Sequence, residues 1–129
     1  MRILLLLILI PFLSLAQKQK LNIKVEGLER IEGKIMLRLK NAQGEIILKY
    51  SQKVDEIPEL IQLDLAPGTY AIACFHDAND NDKIDRNFAG IPTEVYAFSN
   101  NARGTFGPPD LADQLFEFKN AQTISLRLE

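Results

Sequence analysis

Apolar and polar residues alternate along most of this chain. Leu21, Ile23 and Val25 are separated by polar residues, and this period of two is typical of a β-strand with one buried face. The same alternation predicts strands over residues 34–40, 61–65 and 124–128, the first of which has a basic outer face, and residues 46–50 are predicted to return as a strand after a hairpin turn. Residues 69–76 are apolar on both faces, which indicates a central strand, and 95–98 predict a short one. The pattern therefore predicts roughly seven strands.

Turn residues occupy the segments between these strands. Asn41-Ala42-Gln43-Gly44 predicts a hairpin connection, and Ala66-Pro67-Gly68 predicts a tight turn. Helix is predicted only over 110–115, with Asp110 as the N-cap residue. We therefore predict an all-β fold: a single antiparallel β-sandwich of Ig-like or transthyretin-like type, with one short helical turn and one long loop over 77–109.

The first residues have the features of a signal peptide. Arg2 precedes an almost unbroken apolar run that ends at Leu13, and Ser14-Leu15-Ala16 places small residues at a cleavage site. The run is shorter than the ~20 residues that span a bilayer. We predict a signal peptide at 1–16, cleaved near Ala16, and a β-sandwich domain at 17–129. The mature domain is then exported to the periplasm or secreted, without membrane insertion.

Charge and cysteine content exclude some classes of function. The formal charge of −2 becomes −3 when Arg2, the one charged residue within 1–16, is removed. So mild a charge offers no electrostatic footprint for nucleic acid. Cys74 is the only cysteine, so no intrachain disulfide can form, and its apolar strand predicts a buried side chain. A catalytic thiol would need an activating partner, and His76, on the same face of that strand, is the only histidine.

Oxygen-bearing side chains recur at every second position directly after the central strand. If Asp77 is position 1 of a calcium loop, positions 3, 5 and 9 also carry oxygen, and position 7 offers a backbone carbonyl. Glu94 and the pair Asn100-Asn101 are candidates for a further ligand. We therefore predict that the cofactor is calcium and that its ligands are Asp77, Asn79, Asn81, Lys83 (through its carbonyl), Asp85 and Glu94.

This loop differs from an EF-hand in two respects. Position 6 is Asp82 rather than Gly, although Asp tolerates the left-handed conformation, and position 12 is Phe88, which cannot supply a bidentate carboxylate. Two alternatives remain open. In one, the Asn and Asp side chains bond to the backbone of the loop itself and no metal is needed. In the other, a loop carboxylate acts with His76 in a small hydrolase.

Four linked motifs in the second half of the chain resemble those of a bacterial family of small exported proteins, a conserved domain of unknown function. The resemblance covers roughly residues 21–128. It implies a signal peptide, a single β-sandwich domain and no assigned activity. Members often have Gly where this chain has Asp82. The motifs are Asp77-x-Asn79-x-Asn81-x-Lys83-x-Asp85-x-Asn87, Gly90-Ile91-Pro92-x-Glu94, Phe98-Ser99-Asn100-Asn101 and Gly107-Pro108-Pro109.

These features favour an exported, non-enzymatic binding or accessory module with a calcium-stabilised acidic loop. We expect a monomer whose partner is a protein or a small-molecule ligand, and not nucleic acid. The alternatives are a small hydrolase that uses the loop carboxylates and a structural subunit of an envelope assembly. Phe98 and Phe106 are expected to fix the long loop to the core, because aromatic side chains are usually buried.

Overall fold

Eight strands in two sheets make up the part of the chain that the computed structural model describes, residues 17–129. The predicted signal peptide, residues 1–16, lies outside the described residues. The strands are β1 (Gln19–Glu26), β2 (Lys34–Asn41), β3 (Ile46–Lys53), β4 (Glu59–Leu65), β5 (Gly68–Asp77), β6 (Tyr96–Phe98), β7 (Phe116–Phe118) and β8 (Gln122–Arg127). The predicted all-β fold with one long loop is confirmed.

Sheet A contains three strands in the order β4-β1-β8. The β1–β4 pair is antiparallel, with Ile23 opposite Ile61. The β1–β8 pair is parallel, with Ile23 opposite Ile124, so this one pair departs from the predicted antiparallel arrangement. The physical reason is the connection: β8 follows a long excursion through sheet B, and a parallel pair needs such a crossover rather than a hairpin.

Sheet B contains the order β3-β2-β5-β6, and β7 also pairs with the first residues of β5. The hairpin between β2 and β3 turns at Gly44, whose φ is 82°, as predicted. Strand β7 was not predicted, since three residues are too few to show an alternation. It contributes Phe118, one of the largest wholly buried side chains.

The alternating apolar residues of both sheets meet in one core. Leu21, Ile23 and Val25 of β1 face Ile35 and neighbouring residues of sheet B, all wholly buried. Burial of such a side chain stabilises the fold by about 1.5–3 kcal/mol. The central strand β5 supplies Ile72 and Cys74 from the same alternation. The polar positions between these residues therefore form the outer faces of the sandwich.

Short helical segments fix the chain after β6. A 3₁₀ turn (Ser99–Asn101) follows β6 directly, and the helical turn α1 (Leu111–Gln114) begins after Asp110, as predicted, although the Asp110 side chain makes no capping hydrogen bond. The buried Ser99 hydroxyl accepts a hydrogen bond from the Ile72 N–H (2.9 Å) and donates to the carbonyl of Gln114. The chain between these segments is thereby held against sheet B. No helix within residues 17–129 is long and apolar enough to cross a membrane.

Candidate functional site

The acidic loop, residues 77–95, leaves sheet B at the end of β5 and begins with a wholly buried carboxylate. Asp77 Oδ1 accepts a hydrogen bond from the Asn81 N–H (3.2 Å), and Oδ2 accepts one from the Asp82 N–H (2.8 Å). Hydrogen bonds from backbone N–H groups to a carboxylate are charge-assisted and are stronger than those between neutral groups. Asp77 therefore determines the first turn of the loop.

Two exposed carboxylates of the same turn surround a lysine of β2. Asp80 and Asp82 both have positive φ, 57° and 66°, in the left-handed region that Asp tolerates better than most residues. Lys34 Nζ lies 2.9 Å from Asp80 Oδ1 and also pairs with Asp82 Oδ1. The pKa of Lys34 is raised well above its usual range, mainly by the hydrogen bond to Asp82 and secondly by the hydrogen bond to Asp80. The ammonium group thus neutralises part of the negative charge of the loop.

Three acidic side chains lie close enough together to hold a metal ion. Oxygen atoms of Asp77, Asp80 and Asp82 all lie within 4.8 Å of one another, the only such group of three among residues 17–129. Calcium accepts carboxylate oxygens at about 2.3–2.6 Å, so two ligands on opposite sides of one ion are roughly 5 Å apart. The three side chains therefore fit the donor type and spacing that calcium needs. Asp80 and Asp82 were not in the predicted ligand set, because an alternating count cannot anticipate two left-handed residues that turn these side chains towards Asp77.

The other predicted ligands form a separate hydrogen-bonded group. Asp85 accepts hydrogen bonds from the amides of Asn79 (2.5 Å) and Asn81 (2.7 Å). The Lys83 N–H donates to Asn81 Oδ1 (3.2 Å). Glu94 accepts the N–H of Ala78 on one oxygen and that of Asp85 on the other, both at 2.9 Å. The structure therefore places Asp77 with Asp80 and Asp82, and places the remaining predicted residues in contacts of the kind expected for a loop braced by its own side chains.

The pair Asn100-Asn101 also has structural partners. The Asn100 amide donates to the carbonyls of Asp113 (3.0 Å) and Leu115 (2.9 Å), and Asn101 Oδ1 accepts the N–H of Arg127 (2.9 Å). Both residues have positive φ, which Asn tolerates. These side chains tie the segment after β6 to its neighbours. None of these hydrogen bonds involves a residue of the acidic loop.

His76 and Cys74 are not arranged as a nucleophile and base. His76 is buried, and its Nε2 donates to the carbonyl of Glu32 at 2.7 Å. Cys74 is buried as predicted, and desolvation raises the pKa of its thiol to about 12. The reactive species of a cysteine is the thiolate, which is scarce at neutral pH when the pKa is so high.

The Cys74 thiol is expected to resist modification in the folded protein. At mildly alkaline pH, burial should slow its reaction with a thiol-specific disulfide reagent by roughly a thousandfold relative to an unperturbed cysteine. Absorbance of the released thiolate measures the rate in buffer and in concentrated guanidinium chloride, where one equivalent should react at once. Equal rates in both solvents would show that the thiol is accessible and reopen the possibility of a reactive cysteine.

A large groove on the outer face of sheet B was not predicted. Its volume is about 1150 Å³. The acidic loop forms one wall through residues 82–92, residues 104–108 form the other, and side chains of four strands form the floor. The sequence did show the basic face of β2, but only the register of sheet B places that face beside aromatic residues. The floor residues are Met36, Arg38, Lys40, Lys49, Ser51, Ala73, Phe75, Tyr96 and Phe98.

The two aromatic residues expected to fix the long loop behave differently. Phe98 is half-buried in β6 and packs edge-on against Tyr96, with ring centroids 5.8 Å apart. The expectation for Phe106 was wrong: its side chain is fully exposed. The reason is local, because the segment folds back on itself between Gly104 and Gly107, leaving Phe106 at the outer end of the bend. Phe106 instead lines the groove.

These elements define a class of protein: a small β-sandwich with an acidic loop beside a groove on one sheet. The chain belongs to a bacterial family described as "Uncharacterized protein conserved in bacteria (DUF2141)", whose model matches residues 23–125. The predicted resemblance to a bacterial family of unknown function is thereby confirmed. Searches of curated proteins and of solved structures found no match.

Proposed function

We propose that the protein is an exported, non-enzymatic binding module that holds a ligand in the groove and whose acidic loop is stabilised by calcium. The observation that carries this proposal is that the acidic loop is itself a wall of the groove. Small-molecule sites are usually clefts or cavities of ~300–1,000 Å³ that are lined by apolar residues and a few polar groups. The groove is large enough for such a ligand.

The contacts of the loop support a link between its stability and binding. Glu94 joins the two ends of the turn from Ala78 to Asp85, and Arg86 donates to the carbonyl of Gly90 (3.0 Å). Asn87 Oδ1 accepts the N–H groups of Ala89 (2.9 Å) and Ile91 (3.0 Å). These hydrogen bonds connect the turn that follows Asp77 to residues 86–91 on the wall of the groove, so we expect order at the start of the loop to favour order at the wall.

Calcium would be held by Asp77, Asp80 and Asp82. It would supply two positive charges where Lys34 now supplies one, and it would bind the carboxylates on either side of the turn. The Lys34 ammonium contacts two of these three carboxylates, so lysine and calcium would compete for them. The measurable consequence is that calcium affinity should depend on Lys34.

The non-enzymatic part of the proposal is supported by the state of the candidate catalytic groups. His76 and Cys74 are buried beneath the sheet surface, and His76 is engaged by a backbone carbonyl. Two of the loop carboxylates, Asp77 and Glu94, accept backbone N–H groups on both oxygens. Carboxylates engaged in this way serve to order the backbone.

Calcium is expected to raise the melting temperature of the purified protein by several degrees at about 10 mM. A weak extracellular-type site with a Kd of about 0.1–1 mM gives roughly 1.4–2.7 kcal/mol of stabilisation at that concentration. Thermal melts with excess EDTA, with calcium and with magnesium measure the effect. Lys34→Gln should enlarge the calcium-dependent shift, because it removes the competing ammonium group.

Lys53→Gln is the matched control for this experiment. Lys53 lies directly opposite Lys34 on β3, but its nearest acidic partner is Asp55, 3.9 Å away. The substitution Lys53→Gln removes the same charge from the same surface but breaks no ion pair with the three carboxylates. The rise in melting temperature that calcium causes should therefore equal that of the unmodified protein. Melts in EDTA and calcium that coincide for both the unmodified protein and Lys34→Gln would disprove the calcium site.

A further inference from the structure

The register of sheet B places two positively charged side chains next to each other in the floor of the groove. Arg38 of β2 is directly opposite Lys49 of β3. Both side chains are exposed and both line the groove, as does Lys40 two residues further along β2. Like charges at directly opposite positions of two strands destabilise the pair. This arrangement therefore carries a cost that a bound anion would relieve.

Negative partners for these charges are missing within the part of the chain that the structure describes. Arg38, Lys40 and Lys49 take part in no ion pair among residues 17–129. The one acidic residue that lines the groove is Asp82, and its carboxylate is already paired with Lys34. The β2–β3 side of the groove thus carries positive charges that no carboxylate of the described residues pairs with.

The opposite side of the floor is apolar. Ala73 of β5 lies between Arg38 and Phe98, and Phe75 lies between Met36 and Tyr96. Two apolar side chains of the walls, Phe106 and Ile91, are largely exposed, so their surface is available for burial against a ligand. A single row across the sheet therefore runs from cationic residues to aromatic ones.

We propose that the ligand of the groove is a small amphipathic anion, an organic carboxylate or sulfonate with an apolar body. Its head group would lie at Arg38 and Lys49, where a guanidinium can bind a carboxylate through two parallel hydrogen bonds. The apolar body of the ligand would cover Ala73, Phe75 and Phe98. The exposed ring of Phe106 would be buried against the ligand. This inference rests on the proposed function, because it names the class of ligand for the same groove.

Two fluorescent probes with one aromatic skeleton test this class of ligand. 8-Anilinonaphthalene-1-sulfonate carries an anionic head group, and N-phenyl-1-naphthylamine is the same skeleton without it. The anionic probe should bind the folded protein at least about tenfold more tightly than the neutral one. Added salt should weaken only the binding of the anionic probe. Decanoate, a small amphipathic carboxylate, should displace it.

Substitutions in the floor locate the binding site. Arg38→Gln and Lys49→Gln should each lower the affinity for the anionic probe by roughly 3- to 10-fold and leave the affinity for the neutral probe unchanged. Lys53→Gln is the control, because Lys53 is on the same strand as Lys49 but does not line the groove. The thermal melt of each variant, recorded without probe, must match that of the unmodified protein, since unfolded apolar surface also binds such dyes.

The outcomes distinguish the ligand class from the proposed function. Tighter binding of the anionic probe that depends on Arg38 and Lys49 supports both. If the two probes bind equally well and the substitutions change neither affinity, the protein would still be a binding module, but for neutral ligands. That result would overturn the proposal that the ligand is an anion. Displacement by an oligoglutamate peptide but not by decanoate would make the partner an acidic protein segment, and would overturn the small-molecule class. Failure of both probes and of decanoate to bind would overturn the groove as a ligand site and the proposed function with it.

Discussion

Replacing Asp77 with alanine is expected to lower the free energy of unfolding by about 2–4 kcal/mol, because two backbone N–H groups lose their acceptor and a cavity remains. The side chain is wholly buried and is the acceptor for the N–H groups of Asn81 and Asp82. A domain of this size has about 5–15 kcal/mol of stability in total. Urea denaturation in EDTA measures the loss without any contribution from metal.

Asp80→Asn is the matched comparison for Asp77→Asn. Both changes remove one negative charge from the same turn and preserve the shape of the side chain. Asp80 is exposed and bonds only to Lys34 through its side chain, so its loss should cost no more than ~1 kcal/mol. In Asp77→Asn, the amide N–H₂ group would face a backbone N–H, and two donors cannot form a hydrogen bond with each other. The loss of unfolding free energy should therefore be clearly larger than for Asp80→Asn. Similar losses for the two variants would refute the view that Asp77 orders the loop through its backbone bonds.

The strands could be predicted because their signal is local. In β1, β2 and β4 buried residues recur at every second position, so Leu21, Ile23 and Val25 identify β1 without knowledge of its neighbours. Strand β3, whose residues are exposed or half-buried, lacks this pattern and was predicted from the hairpin turn before it. The parallel position of β8 beside β1 is a tertiary property. Its own alternation is the same whether its neighbour is parallel or antiparallel, which is why the sequence predicted the strand and not its direction.

The acidic loop was predicted as a segment but not in its geometry. Counting every second residue from Asp77 assumes an even progression of the chain, as in a calcium loop of the EF-hand type. The left-handed residues Asp80 and Asp82 interrupt that progression and bring their carboxylates towards Asp77. Lys34 precedes Asp80 and Asp82 by 46 and 48 positions in the chain and reaches their carboxylates only because β2 pairs with β5, where Lys34 is opposite Asp77. Such a pairing depends on sheet register and leaves no mark in the loop sequence.

The groove has the same origin. Arg38, Lys49 and Phe98 lie in one row across four strands, but they are separated by long stretches of chain. Taken singly, each is an ordinary outer-face residue of a strand. That they lie together can be inferred only after the order β3-β2-β5-β6 is known. This is why the fold was predicted more completely than the site.

Replacing Gly33 with alanine is expected to destabilise the protein by about 3–5 kcal/mol, through strain and a collision with the backbone that begins the acidic loop. Gly33 has φ of 63°, a conformation that costs other residues about 1–2 kcal/mol. A Cβ atom at this position would lie 2.1 Å from the carbonyl oxygen of Asp77 and 2.8 Å from the Cα atom of Ala78. These are main-chain atoms, so relief would require the end of β5 to move away from β2.

Gly90→Ala separates the collision from the strain. Gly90 also has a positive φ, 79°, and lies in the same acidic loop, but a Cβ atom there would meet nothing within 4 Å. It should therefore cost only about 1 kcal/mol, the conformational part of the effect. Urea unfolding of both variants, with the slope against denaturant unchanged, measures the difference. An equal loss for Gly33→Ala and Gly90→Ala would mean that β2 and the start of the acidic loop are not in close contact in solution, and that Lys34 is not held against Asp80 and Asp82 by the fold.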